Sequence, residues 1–188
     1  MRENRLLLSD PAVLDALSHP VRLDVLDYLM AAGAATASVC ARAVGDTPSN
    51  CSYHLRVLAR LGLVEHESSD DGRERPWRAT ITGLGIDPQL EGGPDAAAAT
   101  AMAGASLQLV YTLAREHLRT RESLSPQWRE TDAYASYGLR VTPAELHQIV
   151  EEIDAIVRPY IAATRDDPPA DADVAHLAVL AFPRPRFQ

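Results

Sequence analysis

Residues 47–63, TPSNCSYHLRVLARLGL, constrain the chain more than any other stretch. Asp46 or Thr47 can cap a helix there, and Pro48 falls at the first helical position, where no intrahelical N–H bond is lost. Cys51, Leu55, Leu58 and Leu61 recur at three- and four-residue steps and predict a face turned to a core. Ser49, Tyr53, Arg56 and Arg60 recur on the opposite side. No acid lies between Thr47 and Leu63, so that polar, basic face can approach phosphates without self-repulsion. Gly62 suits the helix stop, and Leu63-Val64 begins a strand.

Upstream the punctuation repeats. Ser9-Asp10-Pro11 opens a short helix to about Leu17, and Ser18-His19-Pro20 opens a second. In the second, Val21, Val25, Tyr28 and Leu29 share a side, with Leu26 at its flank, and Gly33 ends it. Thr36 or Ser38 caps a third helix holding Val39, Cys40, Ala43 and Val44, and Gly45-Asp46 separates it from residues 47–63. Two short helices about a tight glycine-bearing turn predict a helix-turn-helix. Downstream, LVEHES and RERPWRATI flank a Ser69-Asp70-Asp71-Gly72 turn, a β-hairpin signature. Arginines at 73, 75 and 78 would lie in the turn and returning strand, as on a wing beside a duplex.

Charge limits the partners. The net charge of -8 argues against a protein that coats nucleic acid or anionic membrane with its whole surface. To Ile86 there are nine arginines against eleven acids, and beyond it nine against fifteen, so any DNA contact must be local and in the first half. Lysine is absent, so every formal cation is the forked guanidinium suited to phosphate or guanine, a bias that a GC-rich coding sequence explains equally well. Cys40 and Cys51 form no CxxC pair, and the N-terminus has no basic-then-apolar export signal, so a reduced, cytoplasmic setting is expected. No apolar run is expected to reach bilayer-spanning length, and no membrane partner is expected.

Glycines and prolines between Thr82 and Pro94 predict a linker, narrowest at residues 87–94. Asp95 caps an alanine-rich helix to about Arg121, with Met102, Leu109, Val110, Leu113 and Leu118 as its apolar seam. Its small-residue first half would let another helix approach, and a partner is needed to bury the rest, which makes it the candidate dimerisation helix. Residues 123–132 predict a loop broken by Pro126. Tyr137, Leu139 and Val141 alternate with polar or small residues in a strand over 134–141. Thr142-Pro143-Ala144-Glu145 is a capping box opening an amphipathic helix that Pro159 should kink or weaken. A last strand is expected over 174–182, pairing with the first.

LSHPVRLDVLDYL, SNCSYHLRVLARLGLVEHE and GRERPWRAT together resemble the ArsR-type winged-helix transcriptional regulators. The shared pattern comprises Ser52, His54, Leu55, Leu58, Gly62, Leu63 and Val64. The resemblance covers roughly the first half; the second half looks like the extended C-terminal portion of a subgroup. It implies a homodimeric, sequence-specific DNA binder, most often a repressor released by a metal or another signal, with no enzyme activity. Metal-sensing members carry paired thiolates or His and carboxylate ligand sets. Here Cys40 and Cys51 stand eleven positions apart, His117 has only Glu116 beside it, and His147 with Glu151 offers two ligands at most, so no metal site and no cofactor is expected.

The fold class expected is mainly α with β (α+β). It divides into a winged helix-turn-helix domain over 1–86, a linker over 87–94, a dimerisation helix over 95–122 and a small C-terminal α/β unit over 123–188. Candidate DNA contacts are Ser49, Asn50, Ser52, Tyr53, His54, Arg56, Arg60, Arg73, Arg75 and Arg78: Asn to adenine, Arg to guanine or phosphate, hydroxyls to phosphate. His54 reads equally as a phosphate contact or a partly buried helix residue. Trp77 reads as packing at the wing's base, and Arg22 as a surface ion pair with Asp24 or Asp27. Trp128, Tyr134 and Tyr137 are a candidate pocket for a small-molecule effector, with core packing the plainer account. No catalytic residue is assigned: Gly104-Ala105-Ser106 lacks a nucleophile's strand-turn-helix context, and no paired carboxylates suggest a cleft. The function expected is an operator-binding homodimeric repressor; the alternative is a winged-helix interaction module that does not bind DNA.

Overall fold

The architecture is given by a computed structural model, which describes residues 5–67, 75–86, 93–161, 165 and 167–183. Four helices build the first half. Helix α1 (Pro11–Leu17) is capped by the Asp10 carboxylate, which accepts from the Ala12 amide at 2.8 Å. Helix α2 (Pro20–Ala32) follows after His19, and Gly33 terminates it at φ 81°. Thr36 caps α3 (Ala37–Val44), and Gly45 leaves it at φ 69°. That left-handed step is nearly free for glycine and costs about 1–2 kcal/mol for other residues, and it turns the chain into α4 (Pro48–Arg60), capped by Thr47.

One core binds these helices. Leu14, Leu17, Leu26, Leu29, Leu55 and Leu58 are all at most 1% exposed and pack together with Cys40 and Cys51. Each such leucine removes about 1.5–3 kcal/mol worth of apolar surface from water. The predicted faces hold with local adjustments: in α2 the buried residues are Leu23, Val25, Leu26 and Leu29, while Val21 and Tyr28 are only half-buried. Leu61, expected on the core face, is also half-buried, because the helix has ended and the chain is turning at Gly62.

The wing strands are β2 (Val64–His66) and β3 (Trp77–Ala79), antiparallel, with Glu65 opposite Arg78 and His66 opposite Trp77. Ala35, just before α3, adds a single bridge to Trp77 through amide bonds of 2.9 and 2.8 Å, tying the wing to the helices. The predicted turn at 69–72 and Arg73 lie outside the described residues.

Residues 83–86 correct the linker expectation. They form β4 (Gly83–Ile86), paired in parallel with β1 (Arg5–Leu8), a strand the sequence reading did not anticipate. Glycine-rich GLGI has poor strand propensity, and its ladder depends on a partner nearly eighty positions away. Helix α5 then spans Gly93–Thr120, with Asp95 inside its first turn. Its alanine half packs on α1 and α2 of the same chain, burying Ala99 and Met102. The close approach expected of small residues is therefore made within the chain.

Residues Asp95–Ser123 form a helix long and apolar enough, by length and composition, to cross a membrane, with mean hydropathy 1.3 over its most apolar window. That corrects the expectation that no run reaches such length. Leu107, Leu109, Val110 and Leu113 raise the mean together with the alanines, and Ala99 and Met102 already pack on the winged domain.

The expected loop at 123–132 contains a 3-10 turn (Arg121–Ser123) and a short helix α6 (Pro126–Glu130), for which Pro126 is the first residue and Ser125 the cap. Asp132 anchors this corner: it takes the Arg121 guanidinium on one oxygen and stands 3.1 Å from His117 Nε2 on the other. These partners, the Arg121 hydrogen bond first, hold its carboxyl below the usual carboxylate range. Helix α7 (Pro143–Val157) carries the predicted capping box and gives way at Pro159 to a 3-10 turn (Arg158–Tyr160). The strands expected at 134–141 and 174–182 are in no ladder among the described residues, so those residues do not assemble the expected small α/β unit. Alternation supplies a strand-like face; a strand also needs a backbone partner.

Candidate nucleic-acid interface

Helix α4 is divided along its length. Cys51, Leu55 and Leu58 are fully buried, and Ser49, Asn50, Tyr53, Arg56 and Arg60 are exposed on the outer side. Ser52 is half-buried at the border. The exposed polar groups are already organised by bonds along the helix. Arg56 Nη2 donates to Ser52 Oγ at 3.0 Å, and Arg60 Nε donates to the Arg56 carbonyl at 3.4 Å. Tyr53 and Arg60 line an open groove with Ala12, Asp15, Arg22 and Val57, where α4 passes α1 and α2.

Asp46 shapes the amino end of this helix. One carboxylate oxygen accepts from the Thr47 amide at 2.6 Å, and the other accepts from Asn50 Nδ2 at 2.6 Å. Thr47 Oγ1 accepts from the Asn50 amide at 3.3 Å. The positive end of α4 thus already holds an anion, so a phosphate would meet a like charge there. The same bond aims the Asn50 amide. The i, i+4 spacing of Asp46 and Asn50 was visible in the sequence, but that spacing also permits both side chains to point into solvent.

His54 is corrected from a DNA contact to an interior residue. It is 3% exposed, and neither ring nitrogen has a hydrogen-bond partner among the described residues. Its ring lies 4.7 Å from that of His19, at the head of α2, and 5.4 Å from Tyr53. The residue sits one position before Leu55 on the same helix, so a modest rotation of the core-facing arc encloses it. Burial first, then the neighbouring His19 and Arg22, pushes its pKa down, while Asp46 opposes them. Neutral His54 is therefore the folded form, whereas the unfolded chain takes up a proton near 6.5. Stability is expected to be full above that pH and to fall as pH drops through and below it. Thermal melting across this range should show a shallower decline in His54→Phe; an unchanged slope would clear His54 of the effect.

Arg22 Nε donates to the Ala16 carbonyl at 2.5 Å, where the sequence suggested an ion pair with Asp24 or Asp27. It joins α1 to α2 in the lining of the groove.

On the wing, Arg75 is exposed and Arg78 pairs across the strands with Glu65, both side chains about half exposed. An ion pair so open to water is worth about 0–1 kcal/mol, so Arg78 can exchange its carboxylate for a phosphate at little cost. Trp77 stacks on His66 with ring centroids 3.6 Å apart, and its other contacts are with the core, as packing at the wing's base requires.

Cys40 and Cys51 are free and buried. Burial, with the adjacent Cys51, pushes the Cys40 thiol up to about 11; burial also raises Cys51. Neither thiol should react with iodoacetamide at neutral pH until denaturant is added, a result readable by mass spectrometry. Labelling of the native protein would show that α3 and α4 separate readily.

Trp128 is half-buried, but Tyr134 and Tyr137 are 65% and 79% exposed, so the candidate effector residues are not gathered into one cavity by their own chain. Among the described residues there is no group of three or more His, Cys, Asp or Glu side chains that could hold a metal ion.

Residues 17–67 match a family model described as a helix-turn-helix domain. No curated protein matches the chain. Among solved structures, the chain is similar to the homodimeric winged helix-turn-helix DNA-binding domain, fragment 1–100, of a possible ArsR-family transcriptional regulator from Mycobacterium bovis. The identity is 30%, covering 57% of this chain and 79% of that one, with a TM-score of 0.33. A MarR family transcription regulator is 17% identical, covering 79% of each chain at a TM-score of 0.32. ZitR of Lactococcus lactis, as its E41A mutant, is 13% identical, covering 77% of this chain and 73% of that one at 0.30.

Proposed function

We propose, for a chain that belongs to the ArsR-like winged helix-turn-helix family of DNA-binding transcriptional regulators, that it is a homodimeric repressor reading an inverted-repeat operator. The observation that carries the reading is the division of α4: three fully buried side chains hold it on the core, and Asn50, Tyr53 and Arg56 stand exposed together on its other side. In this reading α4 enters the major groove, where Asn50 and Arg56 can make forked contacts to base edges, and Arg75 and Arg78 reach the phosphates. Arginine side chains, rather than the amino end of α4, fix the register, because Asp46 occupies that end. Arg73 is proposed as a further wing contact on its sequence position alone.

Two copies are proposed because a winged domain commonly reads two half-sites related by a twofold axis, and the Mycobacterium bovis relative is homodimeric. Repression by occlusion rests on family grounds. A DNA partner places the protein in the cytoplasm. A small-molecule effector at Trp128, Tyr134 and Tyr137 is not part of the reading, since the two tyrosines lie open in the single chain.

Selection from a random duplex pool tests the whole proposal, with an inverted repeat as the expected product. Affinity for that duplex should fall with salt at a log–log slope of roughly -5, as for three wing phosphate contacts per protomer of a dimer. Failure to bind any duplex at low salt would overturn it and favour the alternative, a winged-helix module for protein contact.

A further inference from the structure

Around α4 the guanidinium groups are left without counter-ions. Beyond the winged domain arginines pair with acids: Arg119 with Glu116, Arg121 with Asp132 and Arg158 with Asp154. Arg22, Arg56 and Arg60 do not. Among the described residues their side chains donate to neutral oxygens, those of the Ala16 carbonyl, the Ser52 hydroxyl and the Arg56 carbonyl, and none of the three has a carboxylate within 4.0 Å. Asp27, on the same helix as Arg22, stands instead 3.9 Å from Nδ1 of His176 in the C-terminal segment. In a chain of net charge -8, unneutralised cations gathered in one place attract an anion to that place.

Two of the three share a groove. Arg22 from α2 and Arg60 from α4 line it together with Tyr53 and the apolar side chains of Ala12, Ala16 and Val57, and Asp15 on α1 is the opposing acid. Apolar walls strengthen the pull of the two cations by lowering the local dielectric. His54 of α4 registers the same field: burial first, then His19 and Arg22, disfavour its charged form. The groove is open, and that decides its occupant. A small-molecule site encloses most of its ligand, whereas a nucleic-acid backbone crosses an open edge with only a phosphate turned inward. A helix about 10–12 Å across with its side chains nearly fills a major groove about 12 Å wide, so the phosphate backbones run along its flanks. The flank of α4 that carries Tyr53, Val57 and Arg60 is the one beside α1 and α2.

We propose that a backbone phosphate of the bound duplex seats in this groove, held by Arg22 from α2 and by the Tyr53 hydroxyl and Arg60 from α4. Arg22 is then a DNA-positioning residue outside both the recognition helix and the wing. Its Nε keeps α1 joined to α2 through the Ala16 carbonyl, and its other N–H groups have no partner among the described residues. The inference rests on the DNA-binding reading above and deepens it, giving each protomer a phosphate contact apart from the wing.

The duplex returned by pool selection and a scrambled duplex of the same length, titrated by fluorescence anisotropy over a series of salt concentrations, test it. Arg22→Gln is expected to weaken both duplexes alike, by roughly tenfold or more at ~0.1 M salt, and to make the log–log salt slope shallower by about 2, one phosphate for each protomer of a dimer. Arg22→Lys keeps the charge and should restore the slope. Asp15→Asn removes the opposing carboxylate, leaves the bond from Arg22 to Ala16 in place and should tighten both duplexes roughly two- to fivefold. Unchanged affinity and slope in Arg22→Gln overturn the proposal and leave the DNA reading standing on Arg56 and the wing. A loss confined to the selected duplex overturns it in favour of a base contact. A loss at unchanged slope that Arg22→Lys does not repair overturns it by assigning Arg22 to the α1–α2 junction alone. Should Arg22→Gln fail to fold, Asp15→Asn decides: tightening supports the groove phosphate, and unchanged affinity overturns it. A wild-type chain that retains no duplex from the pool overturns this proposal together with the function on which it rests.

Discussion

Leu58→Ala is expected to cost the winged domain about 2–5 kcal/mol of stability, the range for a fully buried leucine whose neighbours cannot collapse into the space. Leu58 is 0% exposed and belongs, with Leu55, Cys51 and Cys40, to the core cluster of a domain in which α4 packs on α2 and α3. Three helices would have to move together to close the cavity, which places the substitution toward the upper end. Denaturant unfolding followed by far-ultraviolet circular dichroism reads the loss directly. Val57→Ala, at a half-buried site on the same helix, is the control and should lose less. A loss under about 1 kcal/mol at Leu58 would mean that α4 is not held by this core.

The second large effect concerns recognition. Arg56→Ala should weaken binding to the selected operator by about 1–3 kcal/mol, a loss of roughly 5- to 150-fold, if the guanidinium reads a base. Arg56 is exposed, and its guanidinium donates only to Ser52 on the same helix among the described residues, so folding should be untouched and the melting temperature unchanged. Fluorescence anisotropy with operator and scrambled duplexes separates the roles. A loss confined to the operator identifies a base contact, an equal loss on both identifies a phosphate contact, and no loss on either removes Arg56 from the interface. Arg56→Lys retains the charge but not the fork, so a base contact should remain impaired in it.

Much of the winged domain was legible in the sequence because its signals are local. Asp10, Thr36, Thr47 and Thr142 cap the helices they were expected to cap or were among the candidates for, each within reach of an amide two or three positions along. Cys51, Leu55 and Leu58 were assigned inward from spacing alone, and they are the buried side of α4. Candidate contacts were less legible, because exposure is decided by what packs alongside. His54 lies one position from Leu55, and only the arrival of His19 at the head of α2 encloses it. Asn50 was visible as a polar side chain but not as one already held by Asp46. Arg22 had two carboxylates nearby in sequence and found a carbonyl on α1 instead.

The sequence by itself determined the helices α1 to α4, the caps of α1, α3 and α4, the side that α4 turns inward and the wing strands that follow, since helix and hairpin signals are carried by neighbours within a few positions. Tertiary structure alone decided that RLLL and GLGI pair in parallel across most of the winged domain, that the alanines of α5 are spent against α1 and α2, and that His54 is interior. It also decided that 134–141 and 174–182, though patterned as strands, have no ladder among the described residues. The reason is common to all of these: a backbone edge or a side chain's surroundings are completed by residues far away in the chain, and periodicity records only which side needs a partner.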